Sequence, residues 1–137
     1  MILVDTSVWI DHLHKGIPRL SEALENQEVL SHPIVIGELA CGEIKKRQEF
    51  LSLLADLPIS VVATDEEALA LIERHRLMGK GLGYTDVHLL AAVMLTDGAR
   101  IWTRDKRLAA IATTLRIGFE HTPERLHLRG RTNTVLR

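Results

Sequence analysis

The feature that most constrains the fold is the character of the apolar runs. Residues 2–4 (ILV) and 100–102 (RIW) are short, and residues 59–63 (ISVVA) are rich in β-branched side chains. None shows the strict apolar–polar alternation of a strand with one face in water. Strands that lack it are buried on both sides, and they belong to parallel sheets covered by helices. Between these runs lie segments with helical spacing. Alternating strands and helices predict a three-layer α/β/α domain with a short, mainly parallel central sheet.

The turn and cap residues set the expected boundaries. Thr6 or Ser7 is suited to cap a helix running to about His14. Pro18 fits the first turn of a helix over 17–26, and residues 28–31 read as a weak strand. Pro33 opens a helix with Ile34, Ile36, Leu39 and Ala40 on its apolar side. A helix over 46–56 carries Phe50, Leu53 and Leu54, and Pro58 interrupts the chain before a strand over 59–63. Thr64 with Asp65, Glu66 and Glu67 has the form of a helix start, and that helix is expected to reach about Met78. GKGLGY at 79–84 reads as a hinge-like loop before a strongly apolar helix over 85–95. A strand over 100–103, a helix over 104–115 and an edge strand over 117–120 complete the pattern. The expected division is a domain over 1–122 and a basic C-terminal tail over 123–137.

Composition excludes several classes. A chain of 137 residues, 46% hydrophobic, is one domain with enough apolar matter for a core. No apolar run is long enough to cross a membrane. The start lacks the basic and apolar regions of a secretory signal, so a cytoplasmic location is expected. The single cysteine, Cys41, rules out a disulfide framework or thiolate zinc cluster; it reads as a buried small hydrophobe. Seventeen Lys and Arg balance eighteen Asp and Glu. That balance does not announce a nucleic-acid binder, but bases cluster at 45–47, at 104–107 and along the tail. A protein that cuts a polyanion is neutral overall if its acids hold metal and its bases hold phosphate.

The acids carry the functional signal. In open parallel sheets, ligands bind beyond the carboxyl ends of the strands. Asp5 follows the first strand and Asp105 follows the run 100–103. Asp86 stands in the first turn of a helix after the glycine-rich loop, and Glu38 lies in the apolar segment VIGELAC. Taken singly, each has a plain structural reading as a helix cap, a first-turn acid or an ion-pair partner. Together they place up to four carboxylates on one rim with no obvious buried cation. Such a cluster repels itself. Magnesium or manganese, which prefer oxygen ligands and bind between carboxylates and phosphates, relieves that repulsion. Two ions in such a site can activate water against a phosphodiester.

The segments ILVDTSVWIDHL, HPIVIGELACG, GLGYTDVHLLAA and IWTRDKRLAAIA, in this order over about residues 1–118, resemble the PIN-domain ribonucleases, specifically the VapC-type toxins of bacterial toxin–antitoxin pairs. The resemblance implies Asp5, Glu38, Asp86 and Asp105 as a catalytic, metal-binding quartet. It implies Thr6 or Ser7 in support of Asp5, and Thr103 beside Asp105. It also implies cleavage of RNA with Mg2+ or Mn2+, a cognate antitoxin and a homodimer. Lys80, Arg104 and Lys106 are the expected RNA contacts. Many relatives carry a second acid and an aromatic shortly after the TRD triplet. Here Arg107 and Leu108 stand there, so Asp105 supplies that corner alone.

Other residues read as structural. Trp9 and Trp102 fit core packing better than base stacking. His12, His14, His75 and His88 share no ligand spacing with the acids, which argues against zinc. Lys45, Lys46 and Arg47 read as a solvated face. The tail reads equally as inert disorder or as a contact for RNA or antitoxin. Two other functions fit the same fold. A phosphatase or phosphoacceptor domain would use VDTS as its nucleophile segment, but Ser7 stands where a second Asp is wanted. A non-catalytic binding module would leave the quartet without a purpose.

Overall fold

The computed structural model describes residues 1–119. Among these, three strands and seven helices follow in the order β1 (Ile2–Val4), α1 (Thr6–Lys15), α2 (Pro18–Glu25), β2 (Val29–Leu30), α3 (Pro33–Ala40), α4 (Arg47–Asp56), α5 (Asp65–His75), α6 (Tyr84–Leu95), β3 (Arg100–Trp102) and α7 (Lys106–Thr114). The sheet is parallel, in the order β2-β1-β3. β1 is the middle strand and all three of its residues are buried, which explains its unbroken apolar run. The short open sheet with its helices gives the expected three-layer α/β/α fold.

The register fixes the site. Val4 pairs with Trp102, and Asp5 N–H donates to Trp102 O at 2.9 Å. The next residues, Asp5 and Thr103, therefore leave the sheet together at its carboxyl edge. α6, with six buried residues from Val87 to Val93, is apolar around most of its circumference, as a helix enclosed by the core must be. Trp9 and Trp102 are both core residues.

Several boundaries differ from expectation. Ile59–Ala63 is not a strand: only Ile59 bridges, to Ser31. β2 is two residues long and Pro33 turns it into α3, so it offers an edge partner for one bridge only. Val61 N–H then bonds Thr96 Oγ1 instead of a strand. The expected edge strand over 117–120 is likewise reduced to one bridge, Ile101 to Gly118; its last residue and the tail over 123–137 lie outside the described residues. α5 stops at His75, short of Met78, because Arg76 turns left-handed at φ 53°. Cys41 is exposed, at the C-terminal end of α3. The buried side of α3 is Val35 and Leu39, with Ile34, Ile36 and Ala40 only partly covered.

Candidate active site

Asp5 occupies the N-cap position of α1, yet its side chain makes no cap bond. It is buried, at 7% exposure, and Oδ2 accepts from two hydroxyls, Ser7 Oγ at 2.8 Å and Thr103 Oγ1 at 2.7 Å. A buried carboxylate needs such donors. Thr103 Oγ1 also accepts from Asp105 N–H at 3.0 Å, and Ser7 Oγ accepts from Arg104 N–H at 3.0 Å. Two hydroxyls thus bind the turn after β3 to the turn after β1. Ser7 thus bonds Asp5, and Thr103 bonds both Asp5 and the backbone of Asp105. Neither Thr6 nor Ser7 caps α1, since both already lie inside it.

Thr6 supports a different acid. Its Oγ1 donates to Glu38 Oε1 at 2.6 Å, not to Asp5. One turn of α1 therefore serves two carboxylates from adjacent residues, which a helix permits because successive side chains point about 100° apart. Glu38 is exposed. Its neighbours in VIGELAC are apolar because α3 packs on α1 and α4, while Glu38 projects from the open side.

Asp86 sits three residues beyond Gly83 and accepts its N–H at 3.0 Å, which satisfies one free donor at the start of α6. Burial first, then the charges of Asp5, Asp105 and Glu38, push its carboxyl above the ordinary value, while the Gly83 N–H pulls it down. The four predicted acids thus share one electrostatic neighbourhood. Asp105 caps α7, with Oδ1 accepting from Leu108 N–H at 3.0 Å, and its second oxygen carries no protein partner among the described residues. Asp5, Glu38, Asp86 and Asp105 form no ion pair there either.

No three His, Cys, Asp or Glu side chains among the described residues stand as a ready-made metal cage. The donor set nevertheless fits a hard divalent ion: oxygen ligands, unneutralised, held by hydroxyl and backbone donors on one edge. Magnesium-type ions keep several waters and take substrate phosphate oxygens, so they do not need an all-protein cage.

The expected RNA contacts differ in their surroundings. Lys80 and Lys106 are exposed, whereas Arg104 Nε pairs with Asp11 Oδ2 at 3.2 Å. A cluster that the sequence reading did not find lies at the base of α6. Tyr84 OH donates to Asp65 Oδ1 at 2.7 Å, and His88 Nε2 lies 3.0 Å from the same oxygen. The bond from Tyr84 and then that from His88 hold the Asp65 carboxyl below its ordinary value. The cluster braces the first turn of α6, which carries Asp86, against the start of α5. One sequence offers no signal for it beyond an acid in a first helical turn.

The PIN-domain family profile matches residues 2–113. The chain is 56% identical over 110 residues to Ribonuclease VapC32 from two strains of Mycobacterium tuberculosis, covering 80% of this chain and 89% of each relative. Ribonucleases of this family generally use divalent metal ions. The profile match over residues 2–113, which include all four acids, together with the 56% identity, makes this chain a member of the PIN-domain family, of the VapC type.

Proposed function

We propose that this chain is a metal-dependent endoribonuclease, the toxin of a toxin–antitoxin pair. The observation that carries the reading is the buried Asp5 carboxylate, fixed by Ser7 and Thr103 at the strand edge, in the same field as Asp86, Asp105 and Glu38. Asp5, Asp86 and Asp105 would hold Mg2+ or Mn2+, with Glu38 ligating or ordering the attacking water. The bound ion supplies positive charge to the phosphate and lowers the pKa of water. The chain's own residues do the rest. The Asp5 side chain is locked by two donors at Oδ2, so its other oxygen is presented without rotamer search. Glu38, steadied by Thr6, stands ready to orient a water or take its proton. Lys106 and Lys80 offer charge to the RNA backbone; Arg104 does so only by leaving Asp11. A phosphatase or phosphoacceptor reading has less support, because Asp5 is tied down at one oxygen and Ser7 is used to hold it.

A silencing partner has a surface beside the acids. Ile10, Leu13, Leu39 and Ile44 line a groove of about 560 Å³ that also includes Glu38. An antitoxin segment laid there would reach the acidic rim. Ile59, Val61 and Val62 are exposed apolar residues, with Val61 N–H bonded to Thr96 Oγ1, and they support a homodimer. No helix among the described residues is long and apolar enough to cross a membrane. A cytoplasmic location, and a nuclease unit over 1–122 followed by a basic tail, complete the reading.

The test is incubation of purified, antitoxin-free protein with total RNA and Mg2+ or Mn2+, beside a chelator control and the Asp86→Asn variant. Discrete fragments that vanish in both controls are the expected result. Fragments that persist with chelator would overturn the metal-dependent reading.

A further inference from the structure

Arg107, in the first turn of α7, lies across the loop that leads to Asp86. Gly81 has φ +82°, and a Cβ built there would stand 2.7 Å from Arg107 Cδ, 3.0 Å from Nε and 3.1 Å from Nη1. Any other residue at 81 would be strained in its backbone and would also push the arginine aside. The loop is shaped to let this side chain cross it.

Nothing in the fold accounts for the charge. Among the described residues Arg107 forms no ion pair and no hydrogen bond. Its helix opens with Lys106 and Arg107 and has no acid in the first turn, although the helix dipole disfavours cations there. α5 shows the favourable arrangement, with Asp65, Glu66 and Glu67 in its first turn. The nearest acid in sequence, Asp105, uses one oxygen to cap the helix. Lys106, the preceding residue, is also exposed and forms no ion pair among the described residues. Two unpaired cations, Lys106 and Arg107, thus follow directly on Asp105, in a neighbourhood whose own acids repel a polyanion. An arginine fork there matches phosphate oxygens.

We propose that Arg107, whose side chain passes over Gly81, binds a backbone phosphate of the RNA strand beside the scissile bond. This rests on the ribonuclease reading above. The contact is to a phosphate that does not react, so it is made equally before and during cleavage and acts on KM and not on kcat.

The test pairs kinetics with binding. Arg107→Ala should raise KM for RNA about tenfold with kcat nearly unchanged, the size of one lost charged hydrogen-bond contact. In the non-cleaving Asp86→Asn background, its affinity for a short single-stranded RNA should depend less on salt, the log–log slope falling by about 0.7, as for one phosphate contact. Arg107→Lys should recover much of that slope, which a purely bracing role would not. Gly81→Ala should raise KM in the wild type and add little to Arg107→Ala. If Arg107→Ala lowers the melting temperature, Arg107→Gln keeps the length and takes its place. Unchanged KM and slope, or full additivity with Gly81→Ala, would overturn the inference while wild-type cleavage left the ribonuclease reading standing. Absence of metal-dependent cleavage by the wild type would sink both.

Discussion

Thr103 Oγ1 donates to Asp5 Oδ2 at 2.7 Å, joining residues 98 apart in the chain. The bond exists because Val4 pairs with Trp102 in the parallel ladder, which brings the residues after each strand side by side. The same hydroxyl accepts the Asp105 N–H, so one oxygen positions two of the four acids. Thr103→Val keeps the shape and removes both bonds. It should lower divalent-ion affinity or cleavage by about 10–100-fold, the usual cost of losing a group that orients a ligand. Calorimetric titration with Mn2+ and a cleavage assay measure the two effects. Thr103→Ser should recover most of the loss.

Asp86 exposes the cost of the acidic rim. Its carboxyl is pushed up by burial and by Asp5, Asp105 and Glu38, so ionising it works against the metal-free fold. The stability linked to its proton is fully present below the ordinary value of 3.8 and is lost as pH rises through the raised value. Asp86→Asn should therefore raise the melting temperature of the metal-free protein at neutral pH. It should also cut cleavage by about two orders of magnitude or more. Divalent ion at 100 times its dissociation constant should stabilise the wild type by about 2.7 kcal/mol and Asp86→Asn much less. Thermal melts with and without a chelator read this directly.

The acids were legible in the sequence because each follows a recognisable punctuation: a strand end, a glycine loop or an apolar helix. What supports them was harder to read. Ser7 and Thr103 meet only through strand register, which no local pattern encodes. Thr6 and Ser7 are adjacent in sequence, but one holds Glu38 and the other Asp5, a division that depends on where α3 packs. Helices are easier to read than strands because their periodicity is local. Ile59–Ala63 had the composition of a strand but lacked a long enough neighbour. Residue type alone makes Cys41 a buried residue, but the end of α3 leaves it in solvent.

His32 should give stability a pH dependence. It is 1% exposed, caps α3 by accepting Ile34 N–H at Nδ1, and burial, then the charge of His88, disfavours its protonated form. Its pKa lies below the ordinary 6.5, so the unfolded chain binds the proton more readily. The stability is fully present above pH 6.5 and is lost as pH falls from there through the folded value. His12, whose pKa is also lowered by burial, adds to the same slope. Asn is a good N-cap acceptor. His32→Asn should flatten the dependence below pH 6.5, and its lost packing should cost about 1–3 kcal/mol. Denaturant unfolding across that pH range decides it, and an unchanged slope in the variant would remove His32 as its source.

Thr6 and Glu38 allow the role of the fourth acid to be isolated. The 2.6 Å bond ties α1 to α3 at the cleft, and Glu38 has no ion-pair partner among the described residues. Without Thr6 the exposed carboxylate regains its rotamers, and Glu38 spends less time facing the other acids. Thr6→Val should slow cleavage about tenfold, at the low end for a supporting group, with stability changed by no more than about 1 kcal/mol. The decisive comparison is a double-mutant cycle. If Thr6 acts only through Glu38, Thr6→Val should change nothing further once Glu38→Ala has removed the carboxylate. Full additivity of the two would mean that Thr6 meets the substrate itself, and α1 would then carry an RNA contact beside Asp5.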